Sequence, residues 1–285
     1  MRRIVSITAG AAVVAAGLSL AIPAGAALAT SASPGTRTAA HSLSLPTITV
    51  TMNGKKITVS GALQSGGVRV VSKVSHEPQG DPTFVRLHPG VTVAQALQAA
   101  GGDPNNLALI ASIVFSPQAN KGTTVAQANL APGRYVAVDL ATNAKTPPLT
   151  TFTIAPAGSP AQLPKPQATI SSIEFGFRGP GRLHDGELVR FANHGFLVHM
   201  IVAARGRTAA GAREIARLLK EGKDGKAQHL ATNFYSFVNI MTHGAYQQQV
   251  IHNRPGHWVL VCFMDTQDGR EHTRLGMERV IRIVK

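Results

Sequence analysis

The chain has a single cysteine, Cys262, in 285 residues. An internal disulfide is therefore excluded, and the lone thiol has to be buried, paired between chains or bound to something. Acidic residues are also few: 14 Asp and Glu stand against 28 Lys and Arg, a formal net charge of +14. The excess is shared by both halves without a dense run, which reads as a generally basic surface and argues against a nucleic-acid partner. After residue 29 no stretch approaches the ~18 apolar residues that a membrane helix needs. Serine-nucleophile, carboxylate-pair, phosphate-loop and dinucleotide motifs do not occur in a supporting context. The run GFRGPGR, 176–182, lacks the G-x-G-x-x-G spacing and reads as a turn.

The chain opens with two arginines, an apolar run rich in Ala and Val, and Ala27-Leu28-Ala29. That pattern is expected of a cleaved secretory signal over residues 1–29. No cysteine follows the run, so a lipid-anchored form is not expected. Residues 30–45 are small and polar and read as a flexible leader. The expectation is an exported protein, secreted or held in the cell envelope, without a transmembrane segment after cleavage. Its basic surface suits a redox partner or an anionic envelope polymer.

The remaining sequence repeats itself. LAPGRYVAVDL at 130–140 matches NRPGHWVLVCF at 253–263, with the prolines 123 residues apart. Upstream, TVAQALQAAGG (92–102) and TAAGAREIARLLKEG (208–222) each begin with a threonine suited to a helix N-cap. Helical spacing puts Val93, Ala96, Leu97 and Ala100 on one apolar face, and Ala212, Ile215, Ala216 and Leu219 on another. Short alternating runs such as ITVTMN, KITVSG, ELVRFAN and VHMIVAA read as strands between Gly and Pro turns. The expected fold class is all-β: two tandem Greek-key β-sandwich domains over 46–157 and 167–285. Each carries one inserted helix, and a linker at 158–166 joins them.

Chemistry-bearing residues gather in the second copy. ELVRFANHGFLVHMIV holds Asn193 and, at the start of a strand, His199. CFMDTQDGREHTRLGM holds Cys262 at a strand end, His272 in the following loop, and Met277 before the last strand. PGHWVLVC, the H-x4-M of His272 and Met277, and an Asn followed by a His on an earlier strand make the second copy resemble the cupredoxin (blue copper) superfamily. Through the repeat, the first copy resembles it too. The resemblance implies a cupredoxin-like fold and one copper ion used for electron transfer or copper handling. It also implies His199, Cys262 and His272 as equatorial ligands and Met277 as a weak axial one. Catalysis is not expected, because four protein ligands leave no open position for substrate. A two-domain copper enzyme would need a second centre, and no HxH or HCH pair supplies one.

The chain departs from the family pattern in one place. Nine residues separate Cys262 from His272, where small blue copper proteins have two to four. Asp268-Gly269 is a hairpin turn signal inside that gap, so the chain can run out and return. A reading without metal stays open: Cys262 as a small buried hydrophobe, Met277 as core, His272 solvated, and the sandwich as a cell-envelope binding module. The first copy has Asp139 where the second has Cys262, and no His or Met follows it. His76 is the nearest candidate there for the upstream histidine, so the first copy is expected to keep the scaffold without a site.

Overall fold

The computed structural model describes residues 44–101, 103–142 and 146–285. The expected signal segment, and all but the last two residues of the expected leader, lie outside them. Among the described residues no helix is long and apolar enough to cross a membrane.

The first half supplies β1 (Thr47–Met52), β2 (Ile57–Gly61), β3 (Gly66–Gly80), β4 (Pro82–Leu87), β5 (Ala111–Phe115), β6 (Ala119–Leu130), β7 (Gly133–Asp139) and β8 (Leu149–Ile154). The second supplies β9 (Ala168–Ile173), β10 (Gly176–Arg178), β11 (Arg182–His184), β12 (Leu188–Asn193), β13 (His199–Gly206), β14 (Asn233–Met241), β15 (Tyr246–Val250), β16 (Gly256–Val261) and β17 (Glu278–Val284). Alternation makes these strands: in β1, Ile48, Val50 and Met52 are fully buried while the intervening threonines face outward.

One eight-stranded sheet runs β10-β9-β12-β15-β6-β3-β1-β2. Read from its centre outward, each half contributes four strands in the same order, and antiparallel β15 and β6 join them through Gln247 and Gln248. The β5-β4-β7-β8 sheet packs over the first half and the β11-β17-β16-β13-β14 sheet over the second, each enclosing its own apolar core. The chain is thus all-β and sandwich-built, as expected, and Leu45–Lys285 forms one compact unit.

Matching details recur at matching places. Tyr135 donates its hydroxyl to the Ala131 carbonyl at 2.7 Å, and Trp258 donates Nε1–H to the Arg254 carbonyl at 3.0 Å. Between aromatic and carbonyl lies a Pro-Gly in each case, with Gly133 at φ 143° and Gly256 at φ 146°, conformations that favour glycine.

Helix α1 (Val93–Ala100) is capped by Thr92 in a reciprocal box with Gln95 and stops at Gly101. Helix α3 (Ala209–Lys220) is capped by Thr208. The apolar face expected of α3 is buried, against the outer side of β13 and β16. The face expected of α1 is corrected. Only Ala96 is buried and Leu97 is 45 % exposed, because this two-turn helix rests on the sheet through Val93, Ala96 and Ala99. Each connection also holds a second, shorter helix beyond the one expected: α2 (Pro104–Ala108), capped by Asp103, and α4 (Asp224–Leu230).

Candidate metal centre

Strand β16 alternates faces, sending Trp258 and Leu260 into the core and Val259 and Val261 out toward α3. Cys262 continues the inward set at the strand's end, fully buried. His199 opens β13, which pairs with β16, and so lies beside the thiol. The long gap closes as a hairpin: Asp265 and Glu271 form an antiparallel bridge, and Thr266 N–H donates to the Arg270 carbonyl at 2.8 Å. Gly269 makes the turn at φ 78°. His272 N–H then reaches the Met264 carbonyl at 2.8 Å, which returns the imidazole to the cysteine. A 3-10 turn over His272–Leu275 delivers Met277 to the start of β17.

The three donor atoms converge. Cys262 Sγ lies 3.3 Å from His272 Nδ1 and 3.8 Å from His199 Nδ1, and the two Nδ1 atoms are 3.2 Å apart. All three side chains are fully buried. Met277 is fully buried in the same core cluster as Cys262.

Burial sets the protonation states. It holds both His199 and His272 down at about 4, so each imidazole is neutral near pH 7. It pushes the Cys262 thiol up to about 12, against backbone N–H groups of Met200 and Met264 that favour the thiolate. The Met200 donor lies 3.2 Å from the sulfur. Such N–H···S contacts lower the cost of a buried thiolate once a cation compensates its charge.

A surrounding set of residues was not legible as site residues from the chain. Asn193 donates Nδ2–H to the Leu197 carbonyl at 2.8 Å and the Met241 carbonyl at 2.9 Å, and accepts from Gly195 N at 2.9 Å. It thereby shapes the loop leading to His199. Glu174 accepts from Phe196 N and Leu197 N, and its Oε1 lies 3.9 Å from His199 Nε2. Phe175 sets its ring edge-on to His272, 5.3 Å between centroids. Gly195 is packed so closely that an added Cβ would come within 2.6 Å of both His199 Nε2 and Glu174 Oε1.

The first half shows the same frame with different chemistry. Pairing of β4 with β7 and of β13 with β16 sets Asp139 against Cys262, and Asp81 against Met200. Asp81 N–H donates to Asp139 Oδ1 at 2.9 Å, as Met200 N–H does to the cysteine sulfur. By that register the counterpart of His199 is Gly80. His76, the candidate from sequence, sits exposed in the β3 bulge at φ 64°. An inserted irregularity between Val74 and Gln79 displaces it, which no spacing argument could anticipate.

No known protein-family profile matches the chain, and no curated protein does. Solved structures similar to it include auracyanin B, at 14 % identity over 43 % of this chain and 93 % of that one, TM-score 0.28. Auracyanin A, a "blue" copper protein from the green thermophilic photosynthetic bacterium Chloroflexus aurantiacus, is 18 % identical over 41 % of this chain and 96 % of that one, TM-score 0.25. A Cu-containing nitrite reductase from Thermus scotoductus is 12 % identical over 84 % of this chain and 67 % of that one, TM-score 0.24. The site itself is carried by the geometry of this chain: a buried thiol and two neutral imidazoles meeting at one point, a donor set compatible with copper.

Proposed function

We propose that His199, Cys262 and His272 would hold one copper ion, with Met277 as a weak fourth sulfur donor, in an exported cupredoxin-like protein that transfers electrons or handles copper. The observation that carries this reading is the convergence of Sγ and two Nδ1 atoms within 3.2 to 3.8 Å inside a fully buried pocket of side chains. The donor set fits the metal. A soft thiolate with two imidazoles suits both oxidation states of copper in one geometry, and a bound copper ion would supply one-electron exchange. The protein's own part is to hold the two imidazoles neutral, to offer two N–H groups to the sulfur, and to exclude water from all three donors.

We read the chain as two cupredoxin-like domains, 46–157 without ligands and 167–285 with the centre. The matched strand orders and the matched Tyr135 and Trp258 ties support that reading. Export follows the expected signal over residues 1–29 and leaves a redox partner or an anionic envelope polymer as the expected contacts. We read the protein as not an enzyme, because four protein donors leave no open coordination position.

The test is a copper titration of the purified full chain, followed by visible absorption and metal content. One copper per chain with a strong thiolate-to-copper band, lost in Cys262→Ser, is the expected result. No stoichiometric uptake and no band would overturn the reading and leave the metal-free binding module.

A further inference from the structure

We propose that Asn105, on the half without the cysteine, is a positioning residue that holds both ligand-bearing loops of the other half in register. The proposal deepens the copper reading, and in its copper-loaded form rests on it. Asn105 is only 7 % exposed, and its side chain spans two loops 93 and 160 residues away in sequence. Its Oδ1 accepts from Val198 N at 2.9 Å, and Val198 directly precedes His199. Its Nδ2 donates to the Asp265 carbonyl at 3.4 Å. Asp265 bridges to Glu271, which directly precedes His272. One amide thus binds the residue before His199 directly and reaches the residue before His272 through the Asp265–Glu271 bridge.

The orientation of that amide is settled by its neighbours. Asp103, the N-cap of α2, accepts from Asn105 N at 2.9 Å and from Asn105 Nδ2 at 2.8 Å. A carboxylate takes only hydrogen, so Nδ2 faces Asp103 and Asp265 while Oδ1 faces the Val198 N–H. Strand β5, which follows the helix carrying Asn105 and packs with it in one apolar cluster, is itself seated on the second half. Ile113 N donates to Thr242 Oγ1 at 3.1 Å, Ser116 N to Gln247 Oε1 at 2.8 Å, and Asn239 N to the Ser116 carbonyl at 2.7 Å. The half that lacks ligands therefore acts as a clamp: it fixes β5 and α2, and α2 presents one side chain to both loops.

Cys262 is the chain's one cysteine, so its reaction with a thiol reagent reports loop opening without any metal. The experiment compares the full-length metal-free protein with Asn105→Ala, Asn105→Asp and Leu107→Ala. Asp at 105 keeps an acceptor for Val198 but sets oxygen against the Asp265 carbonyl and the Asp103 carboxylate. Leu107 is a neighbour on α2 whose side chain packs in the apolar cluster beneath the helices, and it controls for general loss of stability. Labelling of Cys262 about tenfold faster in both Asn105 variants is expected, and not in Leu107→Ala compared at equal distance from its unfolding midpoint. The copper-loaded Asn105 variants are expected to release metal to a chelator about tenfold faster than the parent. Labelling at the parent rate, equal labelling in Leu107→Ala, or parent-rate copper release would each overturn the proposal. A parent chain that takes up no copper, with faster labelling in both Asn105 variants, would remove the copper reading and leave the clamp standing.

Discussion

Cys262 Sγ lies 3.3 Å from His272 Nδ1, although nine residues separate them in the chain. An antiparallel bridge between Asp265 and Glu271 and a left-handed Gly269 bring the ends together, so the long gap costs little beyond the entropy of closing a slightly longer loop. Metal ligation then becomes a question of protons. The thiol is held protonated by burial, with its pKa at about 12, while both imidazoles are already neutral near pH 7.

Copper uptake at pH 7 should therefore expel about one proton per ion, from the cysteine and not from the histidines. Apparent affinity should rise about tenfold per pH unit between pH 6 and 8, and more steeply below about pH 4, where the imidazoles also take up protons. Calorimetric titrations in buffers of different ionisation enthalpy count the protons directly. Zero protons released would mean the sulfur is not the ligand.

Gly195 leaves no room for a methyl group. In Gly195→Ala the new Cβ would lie 2.6 Å from His199 Nε2 and from Glu174 Oε1. Glu174 has a flexible, partly exposed end and can swing away, whereas the His199 ring is fully buried and cannot. The expected outcome is a displaced imidazole, with a shifted or weakened copper absorption and about 10- to 100-fold weaker metal binding. An unchanged spectrum and affinity would show that the loop, not the ring, absorbs the methyl group.

The architecture was legible where it rests on short-range pattern. Thr92 and Thr208 announced their helices, alternation announced β1 and β16, and Pro-Gly-x-aromatic announced the repeat. The order of Cys262, His272 and Met277, with His199 upstream, pointed to the donor set. What stayed hidden depends on contacts between distant segments. Asn105 reaches Val198 and Asp265 from another half, and nothing in Pro104-Asn105-Asn106 marks it. Gly80 replaces His76 as the counterpart of His199 because a bulge in β3 changes the register, and a bulge has no fixed sequence signature.

The polar group at Asp139 in the first half carries its own pH signature. Burial raises Asp81 from 3.8 to about 7, with Thr83 and Ser116 hydroxyls opposing and the Asp139 carboxylate adding to the rise. Between pH 4 and about 7 the folded chain therefore keeps a proton that the unfolded chain has released. Stability contributed by this group is complete below pH 4, falls as the pH rises to about 7, and is flat above. Asp81→Asn should remove that slope, about 4 kcal/mol across the window. Urea midpoints for the two proteins over this range give the difference, and parallel profiles would refute the assignment.

Met277 separates a core role from a ligand role. It is fully buried in the same second-half core cluster as Cys262, so its removal disturbs packing whether or not it touches a metal. Met277→Leu keeps nearly the same volume and should cost under about 1.5 kcal/mol of stability. A thioether bound to copper tunes its reduction potential, and leucine offers no donor. The variant should therefore unfold nearly as the parent does, bind copper through His199, Cys262 and His272, and show a changed potential by redox titration. An unchanged potential with unchanged stability would make Met277 a packing residue only, leaving a three-donor centre.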